Sequence, residues 1–307
     1  MIRIQIIALL LLFVVSLVAQ DDQDPILFSA KDYKFPYQID QPDKRVELPS
    51  KLNEISGLSL IKNERFASVQ DEKGNIYVVD FKSGEIEQKI DFGESGDYEG
   101  ITLVGKTAWI LKSNGDLYRV KHFLDENERK VKKYETALSK KNDLEGLTFD
   151  PWNNRLLLAA KGHPYIDEGG GKSKKAIYEF DLEDKKLRHK PVYIIDLDEI
   201  KYYKKYNSMT RLGIEILSGL DASKGDVTFQ PSDLAVHPVS GNIYVIGAVG
   251  ELLVILHPEG EILALVELDN KLFSQPEGIT FGQKAELYIS NEAGDKKPTI
   301  LKFNQIN

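Results

Sequence analysis

Five acidic residues recur at regular intervals along this sequence, and each opens a short apolar segment. They are Glu54, Glu99, Glu145, Asp233 and Glu277, separated by 45, 46, 88 and 44 residues. If the five carboxylates converge in the fold, protonation, lysine partners or a bound cation must relieve their repulsion. The chain has no cysteine and its five histidines are scattered, so oxygen ligands dominate. Such ligands favour a hard cation over zinc, and Ca²⁺ is the predicted cofactor.

A second set of residues is expected next to these acids. Each acid opens an apolar strand that a turn connects to a second strand, and the two open ends of an antiparallel hairpin lie side by side. The residue that closes the second strand therefore lies near the acid that opens the first. The predicted pairs are Glu54 with Gln70, Glu99 with Lys112, Glu145 with Lys161, Asp233 with Gly247, and Glu277 with Asn291.

These pairs predict a site but leave its chemistry open. The five acids are the predicted metal ligands, and the predicted ligand-binding residues are Gln70, Lys112, Lys161, His163 and Asn291. His163 is included because it stands two residues from Lys161. In an alternative interpretation, the acids accept backbone N–H groups from the next repeat and the lysines only neutralise them. In a third, the lysines bind an anion such as phosphate.

The elements that must position these residues repeat with the acids. Stretches such as DYEGITLVGKTAWILK (97–112) and DLEGLTFDPWNNRLLLAAK (143–161) read as short strands separated by turns. A period of roughly 40–50 residues with several strands per unit is typical of a β-propeller. The sequence therefore predicts an all-β, five-bladed propeller of four-stranded antiparallel blades. Because the 88-residue interval equals two periods, six blades are the alternative, but the partly helical segment 197–229 favours an insertion.

The two ends of the repeat region predict how the ring closes. The last repeat ends after three strands, near Phe303, whereas an isolated strand is predicted near residues 44–49. The N-terminal strand would complete the last blade, which leaves no long exposed sheet edge between the chain ends. Residues 43–307 are therefore predicted to form one propeller domain, preceded by an extended lead-in at 20–42.

The first nineteen residues have the pattern of a signal peptide. Arg3 precedes an apolar run of 14 residues, Ile6 to Ala19, which is short for a membrane span but suits a signal sequence. The protein is thus expected to be exported, to the periplasm or the cell envelope, and to associate with the membrane only if the leader is retained. The net charge is −8 and the sequence contains no run of basic residues, and both observations argue against a nucleic-acid partner.

The openings of the repeats resemble one known family. NEISGL (53–58), DYEGIT (97–102), NDLEGLTFDPWNNRLLLAAKG (142–162), and QPEGITF with LYISNEAG (275–281 and 287–294) are similar to the SdiA-regulated family, also called the YjiK/CarP family. The resemblance covers residues 45–303. It implies a bacterial extracytoplasmic propeller linked with the cell envelope and with calcium-responsive behaviour. The D-x-E-G motif at Asp97 and Asp143 also resembles phytase-like propellers, whereas Glu54, Asp233 and Glu277 lack the preceding Asp.

Three functions follow as hypotheses. The first is an exported propeller that binds a small ligand or an envelope protein at an acidic channel mouth, with Ca²⁺ as a candidate bridging ion. The second is a calcium-dependent phosphoester hydrolase, in which metal ions activate water and Lys112 and Lys161 neutralise phosphate oxygens. The third is a metal-dependent lactonase or esterase, which six blades with a single axial metal would favour. Whether the protein is an enzyme stays open at this point.

Overall fold

The computed structural model describes residues 24–211, apart from 168, 170 and 172, and residues 228–306. These residues form five antiparallel sheets. Blade 1 consists of β3 (Ile55–Lys62), β4 (Arg65–Gln70), β5 (Asn75–Asp80) and β6 (Ile86–Asp91). Blade 2 consists of β7 (Tyr98–Val104), β8 (Thr107–Lys112), β9 (Leu117–Lys121) and β10 (Lys130–Tyr134).

The remaining three sheets follow the same plan with additions. Blade 3 has β11 (Leu144–Asp150), β12 (Arg155–Ala160) and β13 (Lys174–Asp181), and both β14 (Lys186–Leu187) and β15 (Tyr193–Asp196) pair with β13. Blade 4 has β16 (Asp233–Val236), β17 (Ile243–Gly247), β18 (Leu252–Leu256) and β19 (Ile262–Glu267). Blade 5 has β20 (Pro276–Phe281), β21 (Leu287–Asn291) and β22 (Thr299–Phe303).

The first strands of the five blades surround a common axis. Each of β3, β7, β11 and β16 contacts the first strand of the next blade, and β20 contacts β3, so the ring is closed. Glycine permits this close approach. A Cβ atom on Gly100 would lie 2.7 Å from the Cβ atom of Leu147 in the next blade. The predicted five-bladed propeller is confirmed.

The long interval between the third and fourth repeats contains an insertion. After β15, the chain forms helix α1 (Leu197–Arg211), whose Ile200 is fully buried against blades 3 and 4. Residues 212–227 of the predicted insertion lie outside the described residues. The chain re-enters blade 4 through a β-bridge between Gln230 and Val249.

The N-terminal segment closes the ring as predicted, and it also adds a strand to blade 4 and packs between blades 4 and 5. Strand β2 (Lys44–Glu47) pairs with β22 and completes blade 5. Part of the lead-in, β1 (Ile26–Ser29), pairs with β19 as a fifth strand of blade 4. Between these strands, Phe35, Tyr37 and Ile39 are buried between blades 4 and 5. We call residues 33–39 the N-terminal strap. A short 3₁₀ helix (Ser50–Leu52) leads from β2 into blade 1.

The hydrophobic core is divided into layers between adjacent blades. Trp109 and Leu111 of blade 2, for example, pack with Leu158 and Phe180 of blade 3, and all four are almost completely buried. Burial of apolar surface contributes about 25 cal/mol per Å². Each blade therefore depends on both of its neighbours for stability.

Candidate functional site

A β-bulge opens the first strand of four blades. The pairing register shifts between Ile55 and Gly57, between Tyr98 and Gly100, between Leu144 and Gly146, and between Pro276 and Gly278. A bulge leaves its extra residue unpaired and redirects the side chain. The extra residues are Ser56, Glu99, Glu145 and Glu277. Three of the predicted acids, Glu99, Glu145 and Glu277, thus occupy equivalent positions in their blades. All three lie at the same end of the ring, and we call this end the channel mouth.

The other two acids occupy different positions, so the predicted equivalence of all five is wrong. In blade 1 the bulge position is filled by Ser56, and Glu54 lies two residues earlier, where the next two blades have Asp97 and Asp143. In blade 4 there is no bulge, and Asp233 pairs regularly with Ile246. Asp233 therefore takes the place that glycine has in the other blades. Residue type alone groups the five acids, whereas the bulge followed by glycine defines the register of the strands.

The carboxylate of Asp233 is used within the scaffold. The residue is 1% exposed, and its two oxygens accept hydrogen bonds from the backbone N–H groups of Leu147 (3.1 Å) and Ile279 (2.9 Å). These donors belong to blades 3 and 5, so Asp233 connects three consecutive blades. Burial raises its pKa well above the usual value, and the backbone donors oppose this rise only in part. This geometry corresponds to the structural interpretation of the acids.

Glu145 and Lys161 form the ion pair that the hairpin geometry predicts. The Nζ atom of Lys161 lies 3.0 Å from Oε1 of Glu145. The backbone of Lys161 is fixed within blade 3, because the side chain of Lys175 donates a hydrogen bond to its carbonyl oxygen. Burial raises the pKa of Glu145, and Lys161 offsets part of this rise. The mouth thus contains one lysine paired directly with a bulge glutamate.

Glu99 lies among carboxylates instead of beside a lysine. Burial raises its pKa strongly, and the charge of Glu145 and a hydrogen bond with Asp97 raise it further. Asp97 is also a hydrogen-bond acceptor for the hydroxyl group of Ser113. Although burial acts to raise its pKa, the hydrogen bonds from Ser113 and Glu99 lower the pKa of Asp97. The two shifts go in opposite directions, so they favour a proton on Glu99 that is hydrogen-bonded to the Asp97 carboxylate.

A third group of acids lies where blades 5 and 1 meet. Burial raises the pKa of Glu277 to about 8, and the charges of Glu292 and Glu145 contribute to this rise. Burial together with Asp71, Glu54 and Glu145 raises the pKa of Glu292 to about 7. Burial and the charge of Glu54 raise the pKa of Asp71 to about 6. The pKa values of these acids of blades 1 and 5 are thus raised by one another and by Glu145 of blade 3.

The remaining predicted residues are distributed unevenly. Lys112 lies with its Nζ atom 5.3 Å from the centre of the Tyr98 ring, a cation–π contact, and not in an ion pair with Glu99. The Nδ1 atom of His163 lies 3.0 Å from the carbonyl oxygen of Tyr165, within the loop after β12. Gly247, the predicted partner of Asp233, closes β17 and packs against Phe229.

Gln70 and Asn291 are the predicted residues with unused hydrogen-bonding capacity. They are 6% and 2% exposed, and the side-chain carbonyl oxygen of each is buried without a hydrogen-bond partner among the described residues. Oδ1 of Asp71 is in the same state. Buried acceptors without donors are costly, so such atoms point to a donor or a cation that completes the site.

The mouth therefore fits Ca²⁺ in the type of its ligand atoms, but its acidic side chains are not gathered into one cluster. Carboxylate and amide oxygens are the ligands that Ca²⁺ takes, and the mouth offers both. Within the described residues, however, no three acidic or histidine side chains form a group that could hold a metal ion. Glu99 and Glu145 stay predicted ligands together with Glu277, whereas both oxygens of Asp233 already accept backbone hydrogen bonds.

Two residues of the mouth were missed in the sequence, and a third was noted only as part of the D-x-E-G motif. Asp71 and Glu292 directly follow the last residue of the second strand in blades 1 and 5, and Asp97 stands two residues before the bulge of blade 2. The pairing of two adjacent strands predicts a position at the mouth only for the last residue of the second strand. The neighbouring position reaches the mouth as well, because the chain continues along the channel rim before it turns into the next strand.

The whole arrangement defines a β-propeller with an acidic channel mouth, and sequence comparison defines its family. The model of the SdiA-regulated family matches residues 31–218, which is more than half of the chain. The protein belongs to the SdiA-regulated family. No functionally curated protein matches the chain in sequence.

Solved structures with a similar fold are distant in sequence. A glutaminyl cyclase from Myxococcus xanthus matches 87% of this chain and 97% of its own, with 10% identity and a TM-score of 0.53. A gluconolactonase from Xanthomonas campestris matches 81% of this chain and 72% of its own, with 12% identity and a TM-score of 0.49. A PQQ-bound aldose sugar dehydrogenase from Streptomyces coelicolor matches 87% and 98%, with 13% identity and a TM-score of 0.49. At these identities the likeness concerns the fold alone.

Proposed function

We propose that the protein is a non-catalytic binding propeller whose channel mouth takes a small cationic ligand, or a cationic group of an envelope protein, with Ca²⁺ as the first ion to test. The observation that carries this proposal is the group of carboxyl groups with raised pKa values around the ion pair of Lys161 with Glu145. Glu277 and Glu292 have pKa values of about 8 and 7, and each is raised by other acids of the mouth. A cation that displaces their protons removes this repulsion.

The positions of the two lysines favour binding over phosphoester hydrolysis. A hydrolase would need free lysines facing phosphate oxygens, but Lys161 is paired with Glu145 and Lys112 lies over the Tyr98 ring. Six blades with a single axial metal would have favoured the lactonase hypothesis, and the ring has five blades. Carboxyl groups that can release a proton suit a ligand that brings positive charge. Amide oxygens without a hydrogen-bond partner among the described residues, as at Gln70 and Asn291, suit one that brings hydrogen-bond donors.

Calorimetric titration of Ca²⁺ into the protein without residues 1–19 tests the proposal. We expect saturable binding whose affinity increases as the pH is raised from about 6.5 to 8.5, because cation binding must release the protons of Glu277 and Glu292. The number of protons released follows from repeating the titration in buffers of different ionisation enthalpy. Putrescine and sodium chloride serve as an organic cation and a monovalent control.

The variants Glu145→Gln and Glu183→Gln provide the residue-level test. Glu145 lies in the mouth, whereas Glu183 is exposed in the turn between β13 and β14 and has the same charge. We expect Glu145→Gln to weaken cation binding by about tenfold or more, and Glu183→Gln to leave it unchanged. Binding that is equal in both variants, or absent for both cations at every pH, would refute a cation site at the mouth.

We also propose that the protein acts outside the cytoplasm, in the periplasm or attached to the envelope. The support is the signal-like composition of residues 1–19. No helix in the described part of the chain is long and apolar enough to cross a membrane. Cell fractionation of the tagged full chain, compared with a chain that starts at residue 20, tests this location. Equal cytoplasmic recovery of both forms would contradict it.

A further inference from the structure

Four cationic side chains form a two-by-two block on the outer strands of blade 2. In the register of β9 and β10, Arg119 lies opposite Lys132 and Lys121 lies opposite Lys130. Residues two apart in a strand share a face, and Leu117 on this face packs in the core between blades 2 and 3. The cationic block (Arg119, Lys121, Lys130 and Lys132) therefore lies on the face of blade 2 that is directed toward blade 3.

No acid neutralises this block within the described part of the chain. None of its four residues forms an ion pair there. The opposite face of β10 differs, because Lys133 forms ion pairs with Asp116 at 2.9 Å and with Glu135 at 3.1 Å. Like charges directly opposite each other on neighbouring strands destabilise a sheet. The block thus has an unfavourable charge arrangement that a bound anion would relieve.

Blade 3 adds a fifth cation from the opposite side. Lys185 lies in the turn between β13 and β14 with a φ angle of +59°. Burial lowers its pKa, as does the charge of Arg119, whereas Asp181 acts in the other direction. Asp181 is already paired with Arg188 at 2.5 Å. Lys185 forms no ion pair among the described residues, and besides burial the charges of Arg119 and Lys121 on blade 2 lower its pKa, whereas Asp181 and Asp184 act against them.

Aromatic rings hold the central arginine in place. The guanidinium carbon of Arg119 lies 5.9 Å from the ring centre of Trp109 and 5.4 Å from that of Tyr134, and its Nε atom is buried without a hydrogen-bond partner among the described residues. Lys132 lies 4.8 Å from the Tyr134 ring centre. Stacking against rings fixes the plane of a guanidinium group and leaves its edges for oxyanions, which it binds through paired hydrogen bonds.

We propose that the cationic block, together with Lys185, binds a multivalent oxyanion of the phosphate class. Opposite residues on paired strands are about 5 Å apart, and residues two apart on one strand are about 7 Å apart. These spacings suit a compact anion with several charges, such as a diphosphate group, better than a single carboxylate. The phosphate could come from a free small molecule or from the headgroup of an anionic lipid. The site is separate from the channel mouth and does not depend on the function proposed there.

Titration of pyrophosphate into the full-length protein at low salt tests this site. We expect saturable heat with pyrophosphate, weaker heat with inorganic phosphate and none with acetate. The double variant Arg119→Gln with Lys132→Gln should raise the Kd for pyrophosphate by about tenfold or more. The matched control is Lys89→Gln with Lys133→Gln, which removes the same net charge from the outer strand of blade 1 and from the opposite face of β10. It should change the Kd less than twofold, and thermal melts verify that both variants are folded.

Vesicle sedimentation distinguishes the two sources of phosphate. Co-sedimentation with phosphatidylglycerol vesicles but not with phosphatidylcholine vesicles, lost in the block variant and competed by pyrophosphate, would identify a lipid headgroup. Pyrophosphate binding without co-sedimentation would identify a free phosphate compound. If neither probe binds, or if both double variants weaken binding equally, the proposal is overturned, since net charge alone would then account for the effect.

Discussion

Asp233 illustrates how the position of a single carboxyl group decides its role. The other four repeats have glycine at this place, whereas here a fully buried carboxylate accepts N–H groups from the blades on either side. Asp233→Asn keeps the size of the side chain but replaces one acceptor by a donor that faces an N–H group. We expect it to lower the free energy of unfolding by about 1–3 kcal/mol, measured by urea denaturation.

The control for this variant is Asp295→Asn, at an exposed residue in the turn between β21 and β22. Its unfolding free energy should stay within about 0.5 kcal/mol of the parent protein. If Asp233→Asn is equally silent, the connection of three blades through this carboxylate contributes nothing measurable, and Asp233 would again be a candidate ligand.

At the level of elements, the N-terminal strap acts as part of the propeller core. Tyr37 is 3% exposed, donates a hydrogen bond to the carbonyl oxygen of Ala285 at 2.7 Å and lies in edge contact with Tyr244. The C-terminal segment joins it, because the N–H group of Ile306 donates to the carbonyl oxygen of Pro36. Blades 4 and 5 are thus held together by both chain ends.

Two substitutions of Tyr37 separate the hydrogen bond of the strap from its packing. Tyr37→Phe removes only the hydroxyl group and should lower the unfolding free energy by about 1–2 kcal/mol. Tyr37→Ala also removes the ring and should lower it by about 3–5 kcal/mol. Urea denaturation with a common m value measures both. Unfolding of both variants at the parent midpoint would mean that the strap merely covers the blades without stabilising them.

For the whole molecule, the acidic mouth predicts how stability depends on pH. The folded-state pKa values of Glu292 and Glu277 are about 7 and 8, above their ordinary value of 4.5. The folded state therefore binds more protons than the unfolded state in this range. Stability should fall as pH rises from about 6.5 to 8.5. Burial lowers the pKa of His237 from 6.5, so this histidine opposes the decline only at and below the lower end of this range.

Urea denaturation at several pH values across this range measures the effect. In Glu277→Gln the decline should be shallower, because one of the titrating groups is removed, whereas Glu183→Gln should keep the parent slope. A stability that is constant or rises with pH would contradict the crowding of carboxyl groups at the mouth, and with it the main support for a cation site.

Much of the architecture was predictable because it depends on local patterns that repeat. Alternating apolar residues, turn residues and a period near 45 specify strands and their number, and the missing strand of the last repeat predicts closure by β2. The lead-in was predicted only as extended chain. Its aromatic residues gave no periodic signal, and only the space between blades 4 and 5 shows why Phe35 and Tyr37 are buried.

The sequence by itself determined the propeller, its closure and the ion pair of Glu145 with Lys161, because each follows from periodicity or from the pairing of adjacent strands. It favoured five blades over six, and the structure decided that number. Only the tertiary structure decided that Glu99, Glu145 and Glu277 share a bulge position, that Asp233 serves the scaffold and that Asp71, Asp97 and Glu292 join the mouth. The physical reason is that a β-bulge inserts one extra residue, which shifts the alternation of side chains between the two faces of the sheet. Burial and charge at the axis, moreover, arise from blades that are far apart in the chain.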